Sequence, residues 1–364
     1  MKKLVFLALL LTFLGFFLFK SAKDTVKKDL ASPVSYPTTT VSPEINYQNK
    51  SDSPEMQAIF VPYWALKANT EDQTGYNNYI YFGVVPNQEG LDTKDPGSLA
   101  LDNFLSFVPS GKKKLLAVRM IDADTNFAIL KDTAKQKKVI SQAITLAKEN
   151  NFDGIVLDLE VSAIPFESLV SQINSFTASF YQQTKQNQLN LALTIYGDVF
   201  YRLRPFDVKA LAHNSDQIMI MAYDFSKAKG NPGPNFPLRG VDTYGYDYTK
   251  MTEDFLKVVP PEKLTVVFGL FGYDWSVDSQ GKALLTGKAL STQEIENRFI
   301  KKCQEVSCEF SRDSKSFETE VKYTDKAGEK HIVWFEDMDS VAAKKAYLKK
   351  RGITSFAYWA YSYF

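Results

Sequence analysis

Two carboxylates, Asp158 and Glu160, stand two residues apart at the end of the apolar stretch Gly154-Ile155-Val156-Leu157-Asp158-Leu159-Glu160. In a β-strand successive side chains alternate sides, so Val156, Asp158 and Glu160 share one face. Two carboxyl groups stacked on one inward face do not both ionise freely, and one is pushed toward its protonated form. Cleavage of a glycosidic bond requires such an acid. The tripeptide D-x-E is common, however, and alone it equally describes a structural pair satisfied by neighbouring donors. The elements that place it decide between the two.

Those elements recur along the chain. Candidate strands cover residues 58–64, 79–85, 114–121, 154–160, 190–197, 217–224, 264–275 and 353–361. Most are near-continuous hydrophobic runs, as expected of strands buried on both faces. Helical patterns lie between several of them, including DTAKQKKVISQAITLAKENN before the fourth strand and FESLVSQINSFTASFYQQTKQ after it. Eight strands with helical connections predict an α/β fold, a (β/α)₈ TIM barrel, and Asp158 and Glu160 fall at a strand's C-terminal end, where such barrels keep their active sites. One connection breaks the repeat. Between the seventh and eighth strands, FETEVKYTDKAGEKHIVWFED reads as a hairpin around DKAG, which predicts a small α+β insertion over about 276–337.

The fourth strand resembles the signature D-G-x-D-x-D-x-E of glycoside hydrolase family 18, the family of chitinases and related hexosaminidases. Met221-Ala222-Tyr223-Asp224 matches its M-x-Y-D motif, and Trp359 stands where the family keeps a barrel-floor tryptophan. FGYDW (271–275) and VWFED (333–337) resemble, more narrowly, the bacterial branch that cleaves spore cortex and peptidoglycan. The resemblance spans about residues 57 to 364. It implies that Glu160 protonates the glycosidic oxygen, that Asp158 orients the substrate's 2-acetamido group, and that Tyr223 hydrogen-bonds that group while its carbonyl oxygen attacks the anomeric carbon. Trp359 is the implied floor under the reacting sugar, with Asp224, Tyr196 and Trp275 as sugar contacts. Tyr63, on the first strand, is a further candidate contact, with core packing as its alternative. The signature's middle aspartate is Val156 here, so the control of Asp158 must differ.

Composition narrows the remaining possibilities. With 43 basic and 42 acidic residues the formal charge is +1, and no basic run is interleaved with aromatics, so no nucleic-acid partner is expected. Two histidines, His213 and His331, and two cysteines offer no zinc-ligand spacing, and neither a metal nor an organic cofactor is expected. Lys112–Lys114 and Lys349–Lys350 read as solvated faces. Lys2 and Lys3 precede an apolar run from Leu4 to Phe19, which predicts a signal-anchor or signal peptide over 1–21 and places the rest of the chain outside the cytoplasm, anchored to a membrane by that segment or secreted if it is cleaved. A Ser/Thr/Pro-rich linker follows over 22–54, and 55–364 is the barrel. In that compartment Cys303 and Cys308 could pair.

The expected function is therefore hydrolysis of β-1,4-linked N-acetylglucosamine-containing glycans by a monomer, with peptidoglycan preferred and chitin second. A catalytically silent glycan-binding barrel is the competing reading, and the presence of Glu160 speaks against it.

Overall fold

Aliphatic and aromatic residues fill eight short runs that are buried on both faces, and each becomes one stave of a closed, parallel barrel. The computed structural model describes residues 56–66 and 75–364. The staves are β1 (Gln57–Pro62), β2 (Asn78–Val84), β3 (Lys113–Met120), β4 (Gly154–Leu159), β5 (Asn190–Tyr196), β6 (Gln217–Met221), β7 (Leu264–Gly269) and a last one at Ser355–Trp359. Neighbours in sequence are neighbours in the ring, and the last stave closes it between β7 and β1. Residues at period two, among them Ala58, Phe60, Ile80, Leu115, Ala117, Val156, Ala192, Met219, Val267 and Ala357, form the packed interior. The alternate positions face outward into a larger core shared with the helices.

Two helices flank the site-bearing strand. Helix α1 (Thr133–Glu149) precedes β4, and α2 (Glu167–Gln186) follows it. The Asp132 side chain caps α1 by accepting from the Ala134 and Lys135 amides. Apolar positions three and four apart then line one stripe in each: Val139, Ile140, Ala143, Ile144 and Ala147 in α1, and Leu169, Ile173, Phe176 and Phe180 in α2. Both stripes bury against the barrel's outer face.

The apolar run over 264–275 is two strands, not one. Barrel pairing stops where Trp359 meets Gly269, and after Leu270 the chain joins a separate antiparallel sheet. That sheet comprises β8 (Phe271–Ser276), β9 (Lys288–Ser291), β10 (Ser307–Arg312), β11 (Thr319–Thr324) and β12 (Lys330–Phe335), in the order β9-β8-β12-β11-β10, so the closing stave is β13. Gly272 has a specific reason to be glycine: a Cβ there would lie 2.2 Å from the Trp334 carbonyl oxygen of β12. The hairpin expected around DKAG is β11–β12, and a disulfide joins Cys303 to Cys308 at the start of the edge strand β10. The first run likewise ends early, because Tyr63–Ala65 turn into a 3₁₀ segment after Pro62. The expected anchor and linker lie outside the described residues, and among the described residues no helix is long and apolar enough to cross a membrane.

Candidate active site

The C-terminal ends of the staves open into a cavity of about 710 Å³. Asp158 lies at its base, on the inward face of β4, and is buried. Its Oδ1 accepts a hydrogen bond from Thr194 Oγ1 of β5 at 2.5 Å. Glu160 is one step further up, where β4 has ended. Its backbone is held from both sides: the amide donates to the Met120 carbonyl at 2.9 Å, and its carbonyl accepts from Asn126 Nδ2 at 3.0 Å. Glu160 Oε2 accepts from the Tyr196 hydroxyl at 3.1 Å. The Arg204 guanidinium stacks 3.7 Å from the centre of the Tyr196 ring and is itself held by Asp198, with Nε 2.8 Å from Oδ1.

The M-x-Y-D segment leaves β6 and turns over this pair. Tyr223 lines the cavity and meets Phe271 edge-on, with ring centres 5.9 Å apart. Asp224 has a φ of 57°, in the left-handed region, and is stabilised there because its amide donates to Asn235 Oδ1 at 2.7 Å. Its Oδ1 accepts from the Tyr273 hydroxyl of β8 at 2.7 Å. Trp359, at the end of β13, forms the opposite wall, with Phe82 packed edge-on at 4.6 Å and Phe60 at 5.7 Å. The insertion adds Leu290, Ser291 and Glu294 to the rim.

Burial governs the protonation of both central acids. It pushes the Asp158 carboxyl up, to about 7, with the Glu160 charge adding to the rise and the Thr194 hydrogen bond and Arg119 opposing it. Burial also raises Glu160; the Tyr196 hydrogen bond, Arg204 and Lys227 pull it back, while Asp224 adds to the rise. Asp224 is raised by burial, opposed by the Tyr273 hydrogen bond. Burial thus biases both carboxyls toward their protonated forms, and Glu160, the one nearer the cavity mouth, is held in the state a general acid needs.

Six of the eight residues singled out from the sequence meet in this cavity: Asp158, Glu160, Tyr196, Tyr223, Asp224 and Trp359. Two do not line it. Trp275 is fully buried with Val277 and Trp334 inside the insertion, and its indole N–H donates to the Ala228 carbonyl at 3.0 Å. It lies further along the β8 face that carries Phe271 and Tyr273, beyond the reach of the cavity and covered by Val277 and Trp334. Tyr63 packs edge-on against Trp64, 5.0 Å away, and beneath the Arg119 guanidinium. Thr194, Asp198, Arg204 and Tyr273 were not singled out. Thr194 was within reach of a period-two reading, since it shares the inward face with Tyr196. Arg204 and Asp198 sit in a loop with no motif to mark them. The structure also gathers Asp325, Glu329 and His331 at the β11–β12 turn, with ligand atoms within 4.8 Å of one another, a grouping their spacing did not disclose.

Fold and site together define a closed parallel barrel whose strand ends gather acidic and aromatic side chains in one cavity. The chain belongs to the glycosyl hydrolases family 18, whose model matches residues 58–363. The cortical fragment-lytic enzyme of Bacillus anthracis is 26% identical over 244 residues, covering 65% of this chain and 53% of that enzyme. The chain thus spans about half the length of that bacterial relative. Di-N-acetylchitobiase of Mus musculus is 23% identical over 259 residues, covering 66% of this chain and 69% of the relative. The Group IV chitinase of Ostrinia furnacalis, solved with allosamidin, shares the fold at a TM-score of 0.72 and 18% identity, over 84% of this chain and 92% of that one.

Proposed function

We propose that this chain hydrolyses β-1,4-linked N-acetylglucosamine-containing glycans, peptidoglycan first and chitin second, with retention of configuration and assistance from the substrate's own acetamide. One observation carries the reading: Asp158, Glu160 and Tyr223 converge on a single cavity walled by Trp359. Glu160 donates its proton to the glycosidic oxygen as the bond to the anomeric carbon breaks. The acetamide carbonyl oxygen attacks that carbon from the other side, closing a cyclic intermediate, while ionised Asp158 orients the acetamide N–H and the Tyr223 hydroxyl binds the group. Water then opens the ring, with Glu160 now taking the proton, and the configuration is retained. Asp224 and Tyr196 contact the sugar, and Trp359 carries its apolar face.

The preference for peptidoglycan is supported by FGYDW and VWFED and by the likeness to a cortical fragment-lytic enzyme. Lys2, Lys3 and the apolar run Leu4–Phe19 support a chain held outside the cytoplasm at a membrane, within reach of a wall polymer.

The test is incubation of the full chain with purified peptidoglycan and with chitin oligosaccharides, beside its Glu160→Gln variant. Products are read by mass spectrometry. New N-acetylglucosamine reducing ends from the unmutated chain alone support the reading and identify the polymer. Binding without cleavage would replace it with a silent glycan-binding barrel. Substrates carrying a free amine in place of the acetamide should resist cleavage; their turnover would remove the substrate-assisted route.

A further inference from the structure

The barrel interior holds a buried arginine that no motif marks. Arg119 is on β3 directly across from Asp158, and Asp158 neighbours Thr194 on β5, so the three side chains form one inward rung. The rung beneath is apolar: Ala117, Val156 and Ala192. Arg119 is only 8% exposed, and its guanidinium lies among three rings, with centres 4.6 Å away for Phe82, 5.4 Å for Trp64 and 5.7 Å for Tyr63. An arginine is almost never buried without an anionic partner. Here the nearest candidate is Asp158. Arg119 Nε and Asp158 Oδ2 are both buried, and neither has a hydrogen-bond partner among the described residues.

We propose that Arg119 is a positioning residue for Asp158, supplying the countercharge that lets this carboxylate exist above an apolar barrel layer. The aromatic box fixes the guanidinium in place, so the cation faces the rung without occupying the cavity. Thr194 holds one carboxylate oxygen by hydrogen bond, and Arg119 acts on the other through the low-dielectric interior. The groups facing Asp158 are Glu160 on its own strand, Arg119 on β3, Thr194 and Tyr196 on β5, and Tyr223 after β6. Arg119 is the one cation in that set. The catalytic consequence rests on the proposed role of Asp158; the electrostatic relationship does not.

The experiment titrates Asp158 directly. The full chain is labelled with ¹³C at the aspartate carboxyls, and the Asp158 signal is identified by its loss in Asp158→Asn. In Arg119→Met and Arg119→Gln the Asp158 midpoint should rise by about one pH unit or more, with Arg119→Lys staying near the unmutated value. If Arg119→Met does not fold, the Gln and Lys variants decide the question between them. An unmoved midpoint in the neutral variants overturns the proposal, as does a Lys variant that shifts as far as the neutral ones. The acid limb of kcat/KM should move upward with the titration. Failure of the unmutated chain to cleave any glycan would remove the hydrolytic reading while leaving the titration result intact.

Discussion

The Tyr196 hydroxyl donates to Glu160 Oε2 at 3.1 Å while the ring of the same tyrosine lies 3.7 Å from the Arg204 guanidinium. One side chain therefore ties the acid to a cation that is itself anchored by Asp198. The arrangement sets how strongly Glu160 holds its proton.

Replacing that tyrosine tests the tie. Tyr196→Phe removes a hydrogen bond to the charged form of Glu160, a type of bond that contributes about 1.5–3 kcal/mol. The carboxyl should then hold its proton to higher pH, so the basic limb of kcat/KM moves upward while kcat at the optimum falls by roughly 10-fold or more. A pH–rate profile that superimposes on the unmutated one would disprove the link.

Asp158 should trade stability for function. Its pKa is raised to about 7 by burial, so the folded state holds a proton that the unfolded chain releases near pH 4. Its contribution is fully present below the unfolded value and is lost as pH rises through the folded one. Asp158→Asn cannot ionise, and should melt a few degrees above the unmutated chain at pH 8, with a smaller gain at pH 4.5; about 1 kcal/mol corresponds to roughly 2–4 °C at this size. Activity should be lost in the same variant. Thermal melts at the two pH values check the sign.

A buried cation ties the insertion to the barrel. Lys344, on helix α3 (Met338–Lys349), is fully buried and donates to Glu318 Oε1 at 2.7 Å and to Glu336 Oε2 at 2.5 Å. Glu318 in turn accepts from the Asn235 and Phe236 amides, and Asn235 holds the Asp224 backbone. Lys344→Met leaves two buried carboxylates uncompensated and should cost about 3–5 kcal/mol in urea unfolding. Adding Glu318→Gln and Glu336→Gln should recover part of the loss; no recovery would mean that packing rather than charge dominates.

The disulfide should matter far less. Cys303 and Cys308 are five positions apart, and a loop that short contributes about 2 kcal/mol in the chain-entropy account. The Cys303→Ser, Cys308→Ser double variant should keep its glycan-cleaving rate at 25 °C and melt only a few degrees lower, as read by assay and calorimetry.

The amino-acid sequence by itself determined the barrel and the acid pair. Strands buried on both faces read as continuous apolar runs, and period two along 154–160 already places Asp158 and Glu160 on the inward face, because these are local properties of a strand. Tyr223, Asp224 and Trp359 were legible for another reason: they sit in motifs at strand ends. Tertiary structure alone decided what surrounds them. Trp275 and Tyr273 share the FGYDW motif and one face of β8, yet only the insertion's packing sends the tryptophan into a core and leaves the tyrosine hydroxyl on Asp224. Arg119 and Arg204 are ordinary basic residues in sequence. They acquire meaning only when barrel closure and a folded-back loop bring them beside Asp158 and Tyr196, because electrostatic interaction depends on distance in space and burial, neither of which is written in chain order.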